Sequence, residues 1–277
     1  MPGPGSDATA PVYIDTTKAS IARVYDAFLN GKDNYEIDRE VLRRVQQVAP
    51  EAATLAIDNR GFLIRATRFV AGQTGITQFL DCGSGLPTAE NTHQVAQRIQ
   101  PDARVVYVDN DPVVLAHGRA LLEENDRTHF SAADIFEPRR ILEDEVVRRH
   151  LDFSEPIALF QIGTLHHYNG TSPTTREIMA EYIDALPSGS YVAISHFFDP
   201  ETEEHSAIAR RMEQTFLHSP MGSGRFATRS ELEGLFEGLE LVEPGLVILA
   251  DWWPDGPRLK ELDAVSYCIA GAVGRKP

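Results

Sequence analysis

The sequence predicts an α/β fold, a mainly parallel sheet wrapped by helices and preceded by a helical segment. Three observations predict it. Up to Gly75 the apolar residues recur at helical spacing, whereas after Gly75 short apolar runs alternate with helical stretches. A glycine loop, Gly83-Ser84-Gly85, joins the first of these runs to the next helical stretch. Strand-loop-helix alternation of this kind builds parallel sheets covered on both faces.

The elements follow in order. Residues 1–15 are dominated by Pro, Gly and small polar residues and are expected to be disordered. Ile21, Val24, Tyr25, Phe28 and Leu29 share one helical face, and Asn30-Gly31 is a natural stop. Helices are expected from Ile37 to Val48 and from Glu51 towards Val70, so residues 16–75 read as a helical cap or lid. Residues 76–277 read as the core. Its strands are expected at Thr77–Asp81, Arg104–Asp109, His129 to about Asp134, Pro156–Ile162 and Ser190–Ser195, with helices at Thr88–Gln100 and Pro112–Glu124. A helical insertion is expected near residues 200–225. Leu239–Leu249 and Ala264–Val273 resemble two strands of an edge hairpin, separated by Trp252-Trp253-Pro254.

The 277 residues carry 26 Lys and Arg against 41 Asp and Glu, a net charge of −15. So acidic a chain disfavours nucleic acid or an anionic membrane as a partner. Cys82 and Cys268 are too few for a disulfide scaffold or a structural zinc site, and no metal is expected. The start has neither the basic flank nor the apolar run of a signal peptide, and no 18-residue apolar stretch occurs, so a cytoplasmic protein is expected.

The glycine loop carries the chemistry. Gly83 and Gly85 allow close backbone approach to a ligand, but Thr88 stands where the dinucleotide fingerprint has its third glycine. Asp81 stands just ahead of the loop, with Cys82 between it and Gly83. At ~5 Å and an effective dielectric of ~20 it would repel a pyrophosphate by roughly 3 kcal/mol. No Lys or Arg lies between Arg68 and Arg98 in sequence to offset this. A cationic ligand reverses the sign, which favours S-adenosylmethionine, with its amino group and sulfonium, over NAD, FAD or ATP. A plain strand–helix turn with a capping acid is the competing explanation of Asp81. Asp109, ending the second strand, is placed for ribose hydroxyls, and Asp111 suits the cap of the following helix better. Asp134, with Ile135 beside it, is placed for adenine.

These features, with Ser20–Asp26, Gly31–Tyr35, Phe79–Thr88, Val106–Pro112, Thr164–Tyr168 and Leu239–Gly245 followed by Trp252 and Pro254, resemble a class I S-adenosylmethionine-dependent methyltransferase. More narrowly, they resemble a bacterial methyltransferase family formerly classed as a domain of unknown function. The resemblance runs from about residue 15 to the C-terminus. It implies a Rossmann-like seven-stranded sheet with the last strand antiparallel. It also implies cofactor contacts at Asp81, Gly83, Gly85, Asp109, Asn110, Asp134 and the end of the fourth strand, but no particular acceptor.

On the acceptor side, Gln161 and Ile162 are expected to border the methionine part of the cofactor. His166 and His167 are the candidate catalytic residues, as a general base for an oxygen or nitrogen nucleophile; shaping the pocket is the competing role. As neighbours on an extended segment they would point to opposite sides. His196 is a second candidate on the same rim. Gly31–Tyr35 reads either as an interhelical turn or as a lid whose Asn34 or Tyr35 touches the cofactor. Arg23 and Asp26 suggest an ion pair within the first helix. Trp252 and Trp253 suit packing better than an acceptor wall.

The sequence therefore points to in-line methyl transfer from S-adenosylmethionine to a small-molecule acceptor, a secondary metabolite being one option. The alternatives are a non-catalytic S-adenosylmethionine or S-adenosylhomocysteine binder with a regulatory role and, less favoured, an NAD-dependent oxidoreductase.

Overall fold

The computed structural model describes residues 14–88, 90–121 and 126–277. The disorder expected for residues 1–15 thus falls almost wholly outside the described residues, as does the end of the helix expected to reach Glu124.

Three helices open the chain: α1 (Ile21–Phe28), α2 (Glu36–Val48) and α3 (Ala53–Phe69). Ser20 caps α1, its hydroxyl accepting from the Arg23 N–H. The alternation then follows as β1 (Gln78–Cys82), α4 (Thr92–Ile99), β2 (Arg104–Asp109), α5 (Pro112–Leu121) and β3 (Thr128–Ala132). Two short helices, α6 (Pro138–Leu142) and α7 (Glu145–His150), precede β4 (Ala158–Ile162), α8 (Thr175–Ala185) and β5 (Tyr191–Phe197). Then come α9 (Glu203–Leu217), α10 (Arg229–Gly234), the two-residue strands β6 (Glu240–Leu241) and β7 (Val247–Ile248), and finally β8 (Ile269–Arg275).

The sheet order is β3-β2-β1-β4-β5-β8-β6, with β7 also paired to β8. Strands β1 to β5 pair in parallel, and β8 runs antiparallel to β5. The sheet thus has seven positions and an antiparallel last strand, the seventh position being shared by β6 and β7. The antiparallel pairing expected at one edge between Leu239–Leu249 and Ala264–Val273 forms, through β6 and β7 with β8, and only its bounds need correction. Residues Ala264–Cys268 form a 3-10 turn, and β8 slots between β5 and β6. Gly271 and Gly274 fit that crowded slot, since a Cβ on Gly271 would lie 2.5 Å from the Ile194 carbonyl oxygen.

Side chains alternate along each strand and feed a core on either face. Phe79, Val105, Tyr107 and Phe160 face α3, α4 and α9, together with Phe28 of α1 and Val41 and Val45 of α2. Leu80, Val106, Val108, Leu159 and Val192 face the other way, towards Ile141 of α6, Val147 of α7 and Ile178 and Tyr182 of α8. The N-terminal helices therefore share one apolar cluster with the sheet. Trp252 is fully buried there, edge-on to Phe62 and Phe69 at 5.2 and 5.9 Å between ring centres.

The intrahelical pair expected between Arg23 and Asp26 does not form. Arg23 Nε instead donates to Asp38 Oδ2 of α2 at 2.9 Å, with both side chains buried. Asp26 accepts from the Asp33 N–H and from Asn34 Nδ2. A helical (i, i+3) spacing permitted the first pairing, but folding brought a better-buried partner from the next helix.

Candidate active site

A cavity of about 600 Å³ opens where β1, β2, β3 and β4 end, roofed by α1 and α3. That is the position at which open α/β sheets hold ligands, and the volume suits a drug-sized molecule.

The glycine loop forms its floor. Gly83 adopts φ +76°, and a Cβ there would lie 2.4 Å from Cγ2 of Thr164, so a side chain at this position is excluded on both counts. The Gly83 N–H reaches the Val108 carbonyl at 2.7 Å, and the Gly85 N–H reaches Asp109 Oδ2 at 2.9 Å. The expected helix start at Thr88 is corrected to Thr92, because the Asn91 side chain accepts from the Thr88 N–H while Gln94 accepts from the Asn91 N–H. The first residue of α4 then serves the site, since Thr92 Oγ1 donates to Asp81 Oδ2 at 2.6 Å.

Asp81 and Asp109 are both buried, and burial pushes each carboxyl up to about 6. Asp109 also accepts from the Asp111 N–H at 2.9 Å, while Asp111 caps α5 through the Val113 N–H. The absence of a nearby cation, expected from sequence spacing, is corrected. Arg60 of α3 lines the cavity, bonds Asn91 Oδ1 at 3.3 Å and pulls the Asp81 carboxyl down against its burial. Sequence distance misled because α3 packs over the start of α4.

Gly83, Gly85, Asp109, Asn110, Asp134, Ile135 and Ile162 line the same cavity as Asp81. Three expected cofactor residues do not. Gln161 is wholly buried behind it, its Oε1 accepting from Thr164 Oγ1 at 2.7 Å. Asn34 is turned to Asp26 and Arg39. Tyr35 lies under the Arg23 guanidinium, 5.2 Å from its ring centre. The Gly31–Tyr35 segment is thus an interhelical turn held by Asp26 and Asp38. Trp252 and Trp253 pack away from the cavity.

His166 and His167 both line the cavity. The expected opposite orientation is corrected: Leu165–His167 is a 3-10 turn, not an extended segment, and the two ring centres are 4.3 Å apart. His166 stacks on Phe197 at 3.7 Å and accepts from the Phe197 N–H at its Nδ1. His167 Nδ1 lies 2.9 Å from Ser223 Oγ. His196 does not line the cavity; its Nδ1 bonds the Phe197 carbonyl. Burial lowers all three imidazoles: His167 to about 3, His196 to about 4, and His166 well below its ordinary range. Among the described residues, no group of three or more His, Cys, Asp or Glu could hold a metal ion, and no helix is long and apolar enough to cross a membrane.

Several lining residues escaped the sequence reading: Ser20 and Tyr25 of α1, Asn59 and Arg60 of α3, and Phe197 and Phe216. Asn59 did leave a signal, as a polar residue on the buried stripe of α3 between Leu55 and Phe62. It accepts from Ser195 Oγ and donates to Tyr25 Oη, tying β5 to α1. A Cβ on Gly163 (φ +72°) would strike its amide at 2.6 Å.

Residues 7–277 match the family described as S-adenosyl methyltransferase. The chain belongs to that family. The methyltransferase is similar to a methyltransferase structure from Thermobifida fusca YX, at 42% identity and a TM-score of 0.88, over 95% of this chain and 96% of that one. It is also similar to a DUF574 family protein from Streptomyces avermitilis MA-4680, at 36% identity and a TM-score of 0.87, over 95% and 99% of the two chains. No protein of curated function matches it. The family resemblance, the class I sheet and the S-adenosylmethionine-dependent methyltransferase activity read from the sequence are borne out.

The buried groups make the stability of the methyltransferase depend on pH. Below the ordinary histidine value of 6.5 an unfolded chain protonates His166, His167 and His196, while the folded chain keeps them neutral. The unfolded state then binds more protons, so acidification destabilises the fold. Asp81 and Asp109 act oppositely: held up near 6, they take protons in the folded state before an unfolded chain does near 3.8. The three histidines outweigh the two acids, and lowering the pH from 7 to 5 is expected to remove roughly 3 kcal/mol. Urea midpoints measured at pH 7, 6 and 5 would contradict this by staying level or rising.

Proposed function

We propose that the methyltransferase moves a methyl group from S-adenosylmethionine to an oxygen or nitrogen of a small-molecule acceptor bound in this cavity. One observation carries the reading: a carboxylate, Asp81, and a guanidinium, Arg60, flank a glycine loop in a cavity that continues to a wall of aromatic rings. An α-amino-carboxylate needs one charge of each sign, and S-adenosylmethionine ends in one. A pyrophosphate would satisfy Arg60 but face Asp81.

The residues fit that molecule. Ser84 Oγ lines the cavity and is buried without a protein partner among the described residues, leaving it for a ligand. Asp109 would accept from ribose hydroxyls, and Asp134 with Ile135 would border adenine. Bound there, S-adenosylmethionine supplies a methyl already activated by its positive sulfur. The protein's part is to align the acceptor and exclude water, and alignment alone can contribute roughly 7–11 kcal/mol.

Calorimetric titration with S-adenosylhomocysteine and with NAD tests the cofactor. S-adenosylhomocysteine is expected to bind and NAD is not; the reverse order would end the reading. Asp81→Asn should weaken S-adenosylhomocysteine about tenfold, in keeping with one charge-assisted contact. Incubation with S-adenosylmethionine and a metabolite extract, followed by mass spectrometry for an added methyl, tests the acceptor class.

A further inference from the structure

The acceptor end of the cavity differs in character from the cofactor end. Among the described lining residues the charged ones are Arg60, Asp81, Asp109, Asp111 and Asp134. All stand at the ends of β1, β2 and β3 or against them. At the end formed by β4, β5 and α9 no charged side chain among the described residues lines the cavity. Aromatic rings replace them. Phe28 lies 6.1 Å from Phe216, Phe216 stacks on Phe197 at 5.4 Å with 15° between the rings, and Phe197 stacks on His166. Phe197 is itself stacked on His166 and Phe226, so what this end presents to the cavity is an uncharged aromatic wall, against which a neutral ring packs well.

The two histidines at this end do different things. A backbone N–H can only donate, so the Phe197 N–H obliges His166 Nδ1 to accept. A neutral His166 therefore carries its proton on Nε2 and has no lone pair to offer there. His167 is not so bound, because its Nδ1 faces a hydroxyl that can either give or take a proton. If Nδ1–H donates to Ser223 Oγ, Nε2 of His167 becomes the basic nitrogen of the pair. Ser223 is itself buried, on the segment after α9, so it can hold the imidazole in one orientation.

We propose that this end takes an uncharged aromatic hydroxy compound, with its hydroxyl facing Nε2 of His167 and with Ser223 as the positioning residue for that imidazole. The proposal rests on the methyl-transfer reading above and names its acceptor. A carboxylate or an ammonium would be buried here without a partner, and burying an unpaired charge is strongly unfavourable. A neutral ring meets no such penalty. The O–CH3 bond forms as the C–S bond breaks, its electron pair returning to sulfur. The acceptor hydroxyl turns strongly acidic as that bond forms, so its O–H bond breaks and the proton passes to Nε2 of His167 even though burial holds that imidazole down at about 3. The imidazolium then releases the proton to water. His166, donating from Nε2, holds the acceptor or its product but takes no proton.

The test uses the full chain saturated with S-adenosylhomocysteine, whose binding is measured first by calorimetry. Phenol, 2-naphthol, 2-naphthoate and 2-naphthylmethylamine are then titrated in. One of the two neutral hydroxy compounds is expected to bind at least tenfold tighter than both charged analogues. Equal or tighter binding of either charged analogue, or binding of none of the four, would overturn the proposal while leaving the cofactor reading intact. Failure of S-adenosylhomocysteine to bind would overturn the cofactor reading and this proposal with it. Side-chain 1H–15N spectra supply the second readout. His167 should be protonated on Nδ1 in the wild type and shift towards the Nε2-protonated form in Ser223→Ala, with His166 unchanged. An Nε2-protonated His167 in the wild type would refute its role as base.

Discussion

Asp38→Ala should destabilise the protein by roughly 3–5 kcal/mol, the usual cost of stranding one member of a buried ion pair. The Arg23 guanidinium it leaves behind is 4% exposed and pairs with no other carboxylate among the described residues, its remaining bonds going to the Lys18 and Asp15 carbonyls. Asp38 also accepts from the Ser20 N–H at 3.0 Å and the Tyr35 N–H at 2.9 Å, so one carboxylate fixes the start of α1, the turn after it and the start of α2. The effect should reach the ligand site, because Ser20 and Tyr25 of α1 line the cavity. Affinity for S-adenosylhomocysteine is therefore expected to fall with stability. Replacing both partners, Arg23→Met with Asp38→Leu, should recover part of the stability but not all, since the Ser20 and Tyr35 N–H groups still lose their acceptor. Urea unfolding of the wild type and both variants decides the matter, and a loss below about 1 kcal/mol for Asp38→Ala would refute this account.

That pair marks where the sequence stopped being legible. Arg23 and Asp26 sit at a helical spacing that suggests pairing, and only the packing of α1 on α2 reveals Asp38 as the partner. Strands announced themselves by continuous apolar runs, and Arg104–Asp109 lies where periodicity placed it. The acids at the strand ends were legible for the same reason, because a strand's C-terminal residue in a parallel sheet faces the ligand side whatever packs above it. The roof was not legible. Arg60 and Asn59 reach the cavity only because α3 crosses the sheet, and Phe216 arrives from α9, far along the chain from the glycine loop. Asn34 and Tyr35 failed for the opposite reason: turn-forming residues expected to cover the cofactor were satisfied locally by Asp26, Gly31 and Arg23. The histidines were found but their relation was not, since a 3-10 turn replaces the extended chain that would have separated them.

Asp109→Asn is expected to separate binding from stability. Burial holds the Asp109 carboxyl at about 6, above its ordinary 3.8, even though the backbone N–H groups of Gly85, Asn110 and Asp111 all favour its ionised form. A carboxyl so raised in the folded state costs the fold about 3 kcal/mol once it is ionised at neutral pH. A neutral amide of the same shape avoids that cost but can accept at only one of its two terminal atoms. Stability of the ligand-free variant should therefore stay level or rise by about 1–2 kcal/mol, the balance between that relief and one lost backbone bond. Affinity for S-adenosylhomocysteine should move the other way. Losing one charge-assisted bond to a ribose hydroxyl and weakening the other amounts to about 3 kcal/mol, or about 100-fold. Urea unfolding and calorimetry on the same variant read the two quantities independently. A fall in both would make Asp109 a scaffold residue of the glycine loop, and unchanged affinity would remove it from the ribose site. Only a loss of affinity with no loss of stability fits a carboxylate that is kept charged and buried for a ligand.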